Sequence, residues 1–167
     1  MSRRLRAAES SDAEVIQAIE TAADALLIDA LGAWDWPPVD TGAGRLSSPG
    51  FVLIAEESAS DSPIGFVHVL DVDGLAHLEQ LSVTPAAARN GHGRALVAAA
   101  MDEARERGYT RLTLRTYAEV PWNAPFYASC GFLESIPETA FLRELVDVEA
   151  ASGLDRYGRR VQMTVEL

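Results

Sequence analysis

Two glycines that flank a histidine lie where a strand-like segment gives way to a helical pattern. Residues 83–97 read VTPAAARNGHGRALV, with Gly91 and Gly93 directly before the helical pattern. The first N–H groups of a helix have no intrahelical partner, and the positive end of the helix dipole adds to their attraction for anions. Because glycine has no side chain, a ligand can approach this backbone closely. A phosphate group is therefore the ligand that we expect this loop to bind.

The loop does not match the two phosphate-binding motifs that are easiest to read from sequence. A dinucleotide-binding loop needs a third spaced glycine, and an NTPase loop needs a Gly-Lys-Ser/Thr sequence; neither is present around Gly93. Two glycines alone also fit a structural turn. A second landmark, VPWNAPFYASCGF at residues 120–132, follows after one further predicted strand and favours a ligand site.

The elements that must position these motifs are mixed strands and helices. Turn signals and alternation predict strands at FVLIAEE, PIGFVHVLDV, LAHLEQLSV, RLTLRTY and RRVQMTVEL. Helices are predicted after a capping box at Ser11 and Glu14, after the glycine loop as far as Gly108, in APFYASC and in ETAFLRELVDVEA. The breaker-rich GAWDWPPVDTGAG is predicted to be a loop or a short helical end. Several adjacent hairpin-like strands favour an α+β or mixed α/β sheet over a doubly wound one.

Composition narrows the class of protein. The 167 residues fit a single domain, residues 1–167, and the net charge of −11 comes from 25 acidic and 14 basic side chains. This charge disfavours nucleic acid and suits a cationic small molecule, but it equally suits plain solubility. Cys130 is the one cysteine, so no intrachain disulfide forms and a reducing, cytoplasmic compartment is expected. Neither a signal peptide nor a membrane span is expected, because no apolar run is long enough.

The two motifs together resemble those of the GNAT superfamily of acyl-CoA-dependent N-acetyltransferases. In that family a strand leads into a Gly-x-Gly loop whose amides hold the coenzyme A pyrophosphate, and here Val83 is followed by RNGHGRAL at residues 89–96. A later Asn begins a helix that carries a Tyr, and a Gly-Phe pair follows. The matching residues are Asn123, Tyr127, Gly131 and Phe132.

The resemblance runs from about residue 51 to residue 132. The start of the chain, with LRAAESSDAEVIQAIE as strand and helix, and the final VQMTVEL strand also suit the family. One departure is Ala88, which stands where the family often has Gln or Arg; Arg89 is the nearest substitute. The resemblance implies an α/β (mixed α+β) GNAT-like acyl-CoA N-acyltransferase fold. Its central twisted sheet would be mostly antiparallel, with splayed middle strands and flanking helices.

The resemblance also implies acetyl-CoA as cosubstrate, with no metal. Amides of the loop would hold phosphate, while the His92 side chain points to solvent and Asn123 either bonds the pantetheine arm or caps its helix. Arg94 fits a phosphate contact or a helix surface about equally. The residues expected to bind the coenzyme are Leu81, Ser82, Val83, Arg89, Asn90, Gly91, His92, Gly93, Arg94, Ala95, Asn123 and Phe126.

Two residues are the expected catalytic groups. By resemblance, Tyr127 is the general acid that protonates the departing sulfur; the alternative is a core aromatic residue. Glu79 is the candidate base because a carboxylate on an apolar strand face should have a raised pKa, although it could instead anchor the substrate ammonium. His77 shares that face with Leu75, Glu79, Leu81 and Val83 if no bulge intervenes. It is a reserve base or substrate contact, and the alternative is a surface or structural histidine. Cys130 has no evident base partner, which favours direct transfer over an acyl-enzyme.

The acceptor is expected to be a primary amine on a small molecule. Trp34 and Trp36 lie where the family's variable acceptor loop falls, and aromatic rings attract cations. The alternative, which is the commoner role of such residues, is that they pack and hold the loop in place. Two alternatives are kept: an acetyltransferase acting on a protein lysine or N-terminus, and a regulatory module that binds acyl-CoA without turnover. A homodimer is left open.

Overall fold

The computed structural model describes residues 2–167, which form a seven-stranded sheet with helices on both faces. The strands are β1 (Arg3–Ala7), β2 (Gly50–Glu57), β3 (Ser62–Val72), β4 (Leu75–Val83), β5 (Arg111–Tyr117), β6 (Leu133–Ser135) and β7 (Arg160–Glu166). The helices are α1 (Ala13–Leu31), α2 (Gly42–Ser47), α3 (His92–Glu106), α4 (Ala124–Ser129) and α5 (Ala140–Ala151). Short 3-10 turns occupy Ser10–Asp12, Pro85–Ala87 and Leu154–Tyr157.

The sheet is antiparallel except at its centre. Its strand order is β1-β2-β3-β4-β5-β7-β6, and the parallel pair is β4 with β5. That ladder holds only three residue pairs and ends at Leu78 and Leu114, so the remainder of each strand diverges. The predicted mixed α/β fold, mostly antiparallel and splayed in the middle, is confirmed.

A β-bulge interrupts β4 at Glu79. His68 on β3 pairs with Gln80 and Val69 pairs with Leu78, which leaves Glu79 as the extra residue. Because side chains alternate along a strand, one inserted residue reverses the faces that follow it. Leu81 and Val83 therefore pack on the core beside Leu78, and the expected shared face with His77 is wrong beyond Glu79.

The two faces of the sheet have different cores. On one face, α3 and α4 cover the larger apolar core, which includes Val67, Leu96, Leu114 and Phe132. The other face carries a small apolar cluster under α1, with Ile16, Ile19, Ile54 and Phe66 among its members. Beyond that cluster the second face is polar as far as α5, and this polar region adjoins the splayed strands.

Three local features differ from the sequence-based expectations. The Ser11–Glu14 capping box is wrong, because Asp12 accepts the Glu9 N–H at 2.7 Å and α1 begins at Ala13. Helix α2 begins inside the predicted loop, at Gly42, and this glycine lets it pack closely on α1: a Cβ there would lie 1.7 Å from the Ala13 carbonyl oxygen. Strand β6 is too short to be read from alternation. Among the helices of residues 2–167, none carries an apolar stretch that could cross a membrane.

Candidate active site

The glycine loop presents a row of free amides. From Arg89 to Arg94, no backbone N–H donates a hydrogen bond to another group within residues 2–167, and the first capping bond runs from Ala95 N–H to the Gly91 carbonyl at 3.1 Å. Arg89 and Gly91 have φ values of +63° and +76°, in the left-handed region. Alternating right- and left-handed residues turn successive N–H groups toward one concavity, which suits an anion.

Three elements converge on Gly93. A Cβ at this position would lie 3.6 Å from Cζ of Phe126 on α4 and 4.0 Å from Cδ2 of Leu81 on β4. These are ordinary contact distances, so the packing of the protein itself does not require glycine here. The missing side chain instead leaves the backbone open to a ligand.

The other residues expected to bind the coenzyme differ in their hydrogen-bond partners and in their burial. Asn90 donates from Nδ2 to the carbonyls of Ala87 and Ala88, both at 3.2 Å, which closes the loop. Arg94 bonds the carbonyl and hydroxyl of Ser129 and lies over the Phe126 ring, so it joins α3 to α4. On β4, Ser82 is buried and Val83 is half-buried beside the splayed gap. The Ala95 amide is already used by the helix.

His92 lies inside the protein, and the expectation that its side chain points to solvent is wrong. The residue is 1% exposed, and its Nδ1 accepts a hydrogen bond from Nε of Arg3 at 3.1 Å. Burial, followed by the charge of Arg3, lowers the pKa of His92, so the ring is neutral near pH 7. Arg3 comes from β1, far along the chain, and sequence reasoning missed this contact.

Asn123 occupies the N-cap position of α4, but its side chain does not cap that helix. Its Oδ1 accepts hydrogen bonds from the Thr116 hydroxyl at 2.9 Å and from the Tyr117 N–H at 3.3 Å. The side chain therefore fixes the end of β5 where that strand has left β4. Its Nδ2 amide has no protein partner within residues 2–167 and remains free to donate.

Glu79 and His77 lie together where the two middle strands part. The Nε2 of His77 is 3.7 Å from Oε2 of Glu79, and Nδ1 is 2.8 Å from the Thr113 hydroxyl. Burial raises the pKa of Glu79 to about 7, while burial and then the charge of Arg115 lower the pKa of His77 to about 4. His77 is thus neutral at pH 7, and the Glu79 side chain keeps 32% of its surface exposed.

Tyr127 lies on the opposite face of the sheet, between two aromatic rings. Its centroid is 5.2 Å from that of Phe126 and 5.8 Å from that of Phe132, both edge-on. Burial, with a smaller effect of Cys130, raises the pKa of Tyr127, so its phenol stays protonated at neutral pH. Cys130 itself is half-buried, and burial raises its pKa as well, which leaves it a poor nucleophile.

A buried ion pair lies beside Glu79 on the polar face. Arg45 from α2 bonds both carboxylate oxygens of Glu20 from α1, at 2.7 and 2.8 Å, and its other nitrogen lies 3.1 Å from Nδ1 of His68. Arg45 and Glu20 are 5% and 3% exposed. His68 thus packs against this ion pair and belongs to the structural framework of the face. Sequence reasoning did not find this pair, because 25 residues separate its members.

Asp24 is a second carboxylate that the sequence did not single out. It accepts a hydrogen bond from the Trp36 indole at 3.4 Å, and it forms no ion pair within residues 2–167. Burial and then the charge of Glu20 raise the pKa of Asp24 to about 6. The Trp36 ring lies 6.3 Å from the rings of both Tyr117 and Tyr157. An aromatic wall thus adjoins an unpaired carboxylate.

Trp34 does not lie with these aromatic rings. It is 97% exposed, and the neighbouring Asp35 is bound by Arg156 at 2.7 Å and by the Tyr157 hydroxyl. Of the predicted acceptor residues, the structure brings Trp36 and His77 to the polar face and leaves Trp34 on the surface.

The chain belongs to the family described as the acetyltransferase (GNAT) family, whose pattern matches residues 17–132. The fold is similar to that of the ribosomal-protein-S18-alanine N-acetyltransferase from Escherichia coli, with 20% identity, a TM-score of 0.71 and coverage of 99% of this chain and 94% of that one. It is also similar to PaiA N-acetyltransferase from Thermoplasma acidophilum in complex with coenzyme A, with 13% identity, a TM-score of 0.71 and full coverage of both chains. Nourseothricin acetyltransferase is 25% identical, with a TM-score of 0.65 and 99% coverage of each chain.

The protein is thus an enzyme, an acetyltransferase that uses acetyl-CoA. The free amides of the loop and the splayed strands fit such a cosubstrate, because they offer donors for a pyrophosphate and unpaired backbone for its arm. No group of three His, Cys, Asp or Glu side chains that could hold a metal ion occurs in residues 2–167.

Proposed function

We propose that the enzyme acetylates a primary amine of a small cationic molecule by direct transfer, within a single domain of residues 1–167. The observation that carries the choice of acceptor is a pair of carboxylates without a cationic partner. Asp24 and Glu79 both have raised pKa values, and within residues 2–167 neither forms an ion pair with an arginine or lysine. A cationic substrate would supply the missing positive charge, and the half-buried Trp36 ring beside Asp24 adds cation–π attraction.

The similarity to nourseothricin acetyltransferase supports a small-molecule acceptor, since that protein is named for such a substrate. The free half-buried Cys130 suits a reducing compartment and supports the proposal that the enzyme is cytoplasmic.

The coenzyme is proposed to lie across the splay with its pyrophosphate on the loop. The amides from Arg89 to Arg94 supply the donors, and Leu81 with Phe126 borders the way inward past Gly93. The Asn123 Nδ2 group is available for a carbonyl of the pantetheine arm. Acetyl-CoA supplies the acetyl group as an activated thioester.

Glu79 is proposed as the base. An ammonium group cannot attack a carbonyl, so Glu79 accepts one proton from the acceptor, directly or through water. A pKa of about 7 suits this task, because the carboxylate is largely ionised just above neutral pH and still binds a proton readily. His77 is held neutral beside it and serves to orient it.

Tyr127 is proposed as the acid that donates its phenolic proton to the departing sulfur. Its pKa lies above the ordinary value, but the same burial disfavours a thiolate there, as it does for Cys130. The proton transfer therefore replaces a buried thiolate with a buried phenolate. The new amide bond forms as the thioester bond breaks. The acylated nitrogen releases its second proton to solvent, the phenolate of Tyr127 takes up a proton from solvent, and Glu79 returns its own proton to solvent.

The test is coenzyme release from acetyl-CoA with a panel of amines. Polyamines and diamines, which carry a second positive charge away from the reacting nitrogen, should be acetylated with much higher kcat/KM than monoamines of equal size. Asp24→Asn should erase that preference while leaving the monoamines unaffected. Equal rates with diamines and monoamines would overturn the cationic acceptor, and selective use of a peptide N-terminus or lysine would identify a protein acetyltransferase.

A further inference from the structure

The first strand carries three arginines that meet different partners. Arg4 and Arg6 both bond the buried carboxylate of Glu56. Arg3 forms no ion pair within residues 2–167; its cross-strand neighbour Glu57 accepts a hydrogen bond from Ser60. The charge of Arg3 is therefore not neutralised by a carboxylate.

Arg3 donates hydrogen bonds to the glycine loop instead. Its Nε donates to Nδ1 of His92 at 3.1 Å, and its Nη2 donates to the carbonyl oxygen of Asn90 at 2.9 Å. The same Nη2 would lie 3.4 Å from a Cβ at Gly91. The guanidinium thus packs against the back of the loop and holds it at two points.

The bond to Asn90 determines where the next amide points. In a planar trans peptide, the C=O of one residue and the N–H of the next are directed oppositely. Because Arg3 binds the Asn90 carbonyl, the Gly91 N–H is directed away from Arg3, and it has no acceptor within residues 2–167. The bond to His92 fixes the first helical residue in the same way, by holding its side chain inward.

We propose that Arg3 is a positioning residue for acetyl-CoA, which orients the Asn90–Gly91 peptide toward the pyrophosphate and adds positive charge behind it. This inference rests on the proposed assignment of the loop to the coenzyme. Its consequence is that β1 belongs functionally to the coenzyme site, although it lies at the edge of the sheet farthest from β6.

The experiment compares the affinities of coenzyme A and pantetheine, which has the arm without the pyrophosphate. Arg3→Met should raise the Kd of coenzyme A about tenfold, the effect of losing one charge-assisted contact, and leave the Kd of pantetheine unchanged. Arg3→Lys keeps the charge but lacks the two-pronged geometry, so it should recover only part of the affinity. Arg4→Met is the matched control, because it removes the same charge one residue away without touching the loop.

The outcomes separate this inference from the loop assignment. A Kd for coenzyme A within twofold of wild type in Arg3→Met would overturn the role of Arg3, as would an equal loss for pantetheine, which marks a purely structural effect. If Gly93→Ala also binds coenzyme A like wild type, the loop assignment itself fails. If Arg3→Met does not fold by circular dichroism, Arg3→Lys carries the comparison.

Discussion

Replacing Gly93 with alanine should separate coenzyme binding from folding. The new methyl group would meet Phe126 and Leu81 at 3.6 and 4.0 Å, which the core accommodates, and the backbone of Gly93 is not left-handed. Alanine is the better helix former by up to about 1 kcal/mol. For a protein of this size that raises Tm by roughly 2–4 °C.

The matched variant Gly91→Ala should behave oppositely in stability. Gly91 has φ of +76°, where an alanine costs about 1–2 kcal/mol, so Tm should fall by roughly 2–8 °C. The Gly93→Ala methyl group would lie beside Phe126 and Leu81, on the proposed path of the coenzyme, whereas a Cβ at Gly91 faces Arg3 behind the loop. Losing one or two hydrogen bonds to a charged acceptor costs about 1.5–3 kcal/mol each, so coenzyme affinity should fall at least about tenfold in Gly93→Ala and by less in Gly91→Ala.

Differential scanning calorimetry of the unliganded proteins and isothermal titration with coenzyme A would measure the two quantities. The expected signature for Gly93→Ala is an unchanged or higher Tm with a weakened Kd. A variant that is folded and binds coenzyme A as tightly as wild type would show that the coenzyme does not approach this backbone, and the reasoning from the free amides would be wrong.

Three further outcomes follow from the site and its supporting contacts. Glu79→Gln should lower kcat about 100-fold and remove the rise of rate with pH through about 7. Because the folded pKa of Glu79 exceeds its ordinary value of 4.5, wild-type stability falls as pH rises from about 4.5 to 7; the variant should be the more stable at pH 8 and equal at pH 4 by chemical denaturation. Tyr127→Phe should lower kcat roughly 100-fold without changing the Kd of coenzyme A, and an unchanged kcat would exclude it as the acid. Arg45→Met leaves Glu20 buried and unpaired, at a cost of about 3–5 kcal/mol in urea unfolding, whereas the exposed Arg105→Ala control should cost under about 1 kcal/mol.

Local pattern predicted much of the fold. Alternation in residues 75–83 marks β4, and the glycine loop with its helix is found from spacing alone. The sequence did not predict the bulge at Glu79, because alternation gives no sign of which residue will lack a cross-strand partner. The position of the bulge is decided by the pairing of β4 with β3. The bulge reverses the face of the sheet on which Leu81 and Val83 lie.

The parts of the site that sequence missed are long-range contacts. His92 was expected in solvent because glycines flank it, yet Arg3 reaches it from 89 residues away. Asp24 gives no sign in the sequence, and its importance comes from its hydrogen bond with the Trp36 indole and from the absence of a cationic partner in residues 2–167. Neither contact leaves a signature in a short window of sequence.

The divergence of β4 from β5 creates an exposed edge in the middle of the sheet. Beyond Leu78 and Leu114 the facing backbone groups of the two strands are unpaired, and such edges are templates for pairing with foreign strands. Elsewhere in proteins such edges are shielded by charge, proline or short strand length; on the proposed assignment, the bound coenzyme shields this one. A ligand that binds only the folded chain also protects it from unfolding and aggregation in proportion to the ligand concentration. If the coenzyme binds between these strands as proposed, its supply bears on how long the enzyme survives as well as on how fast it works.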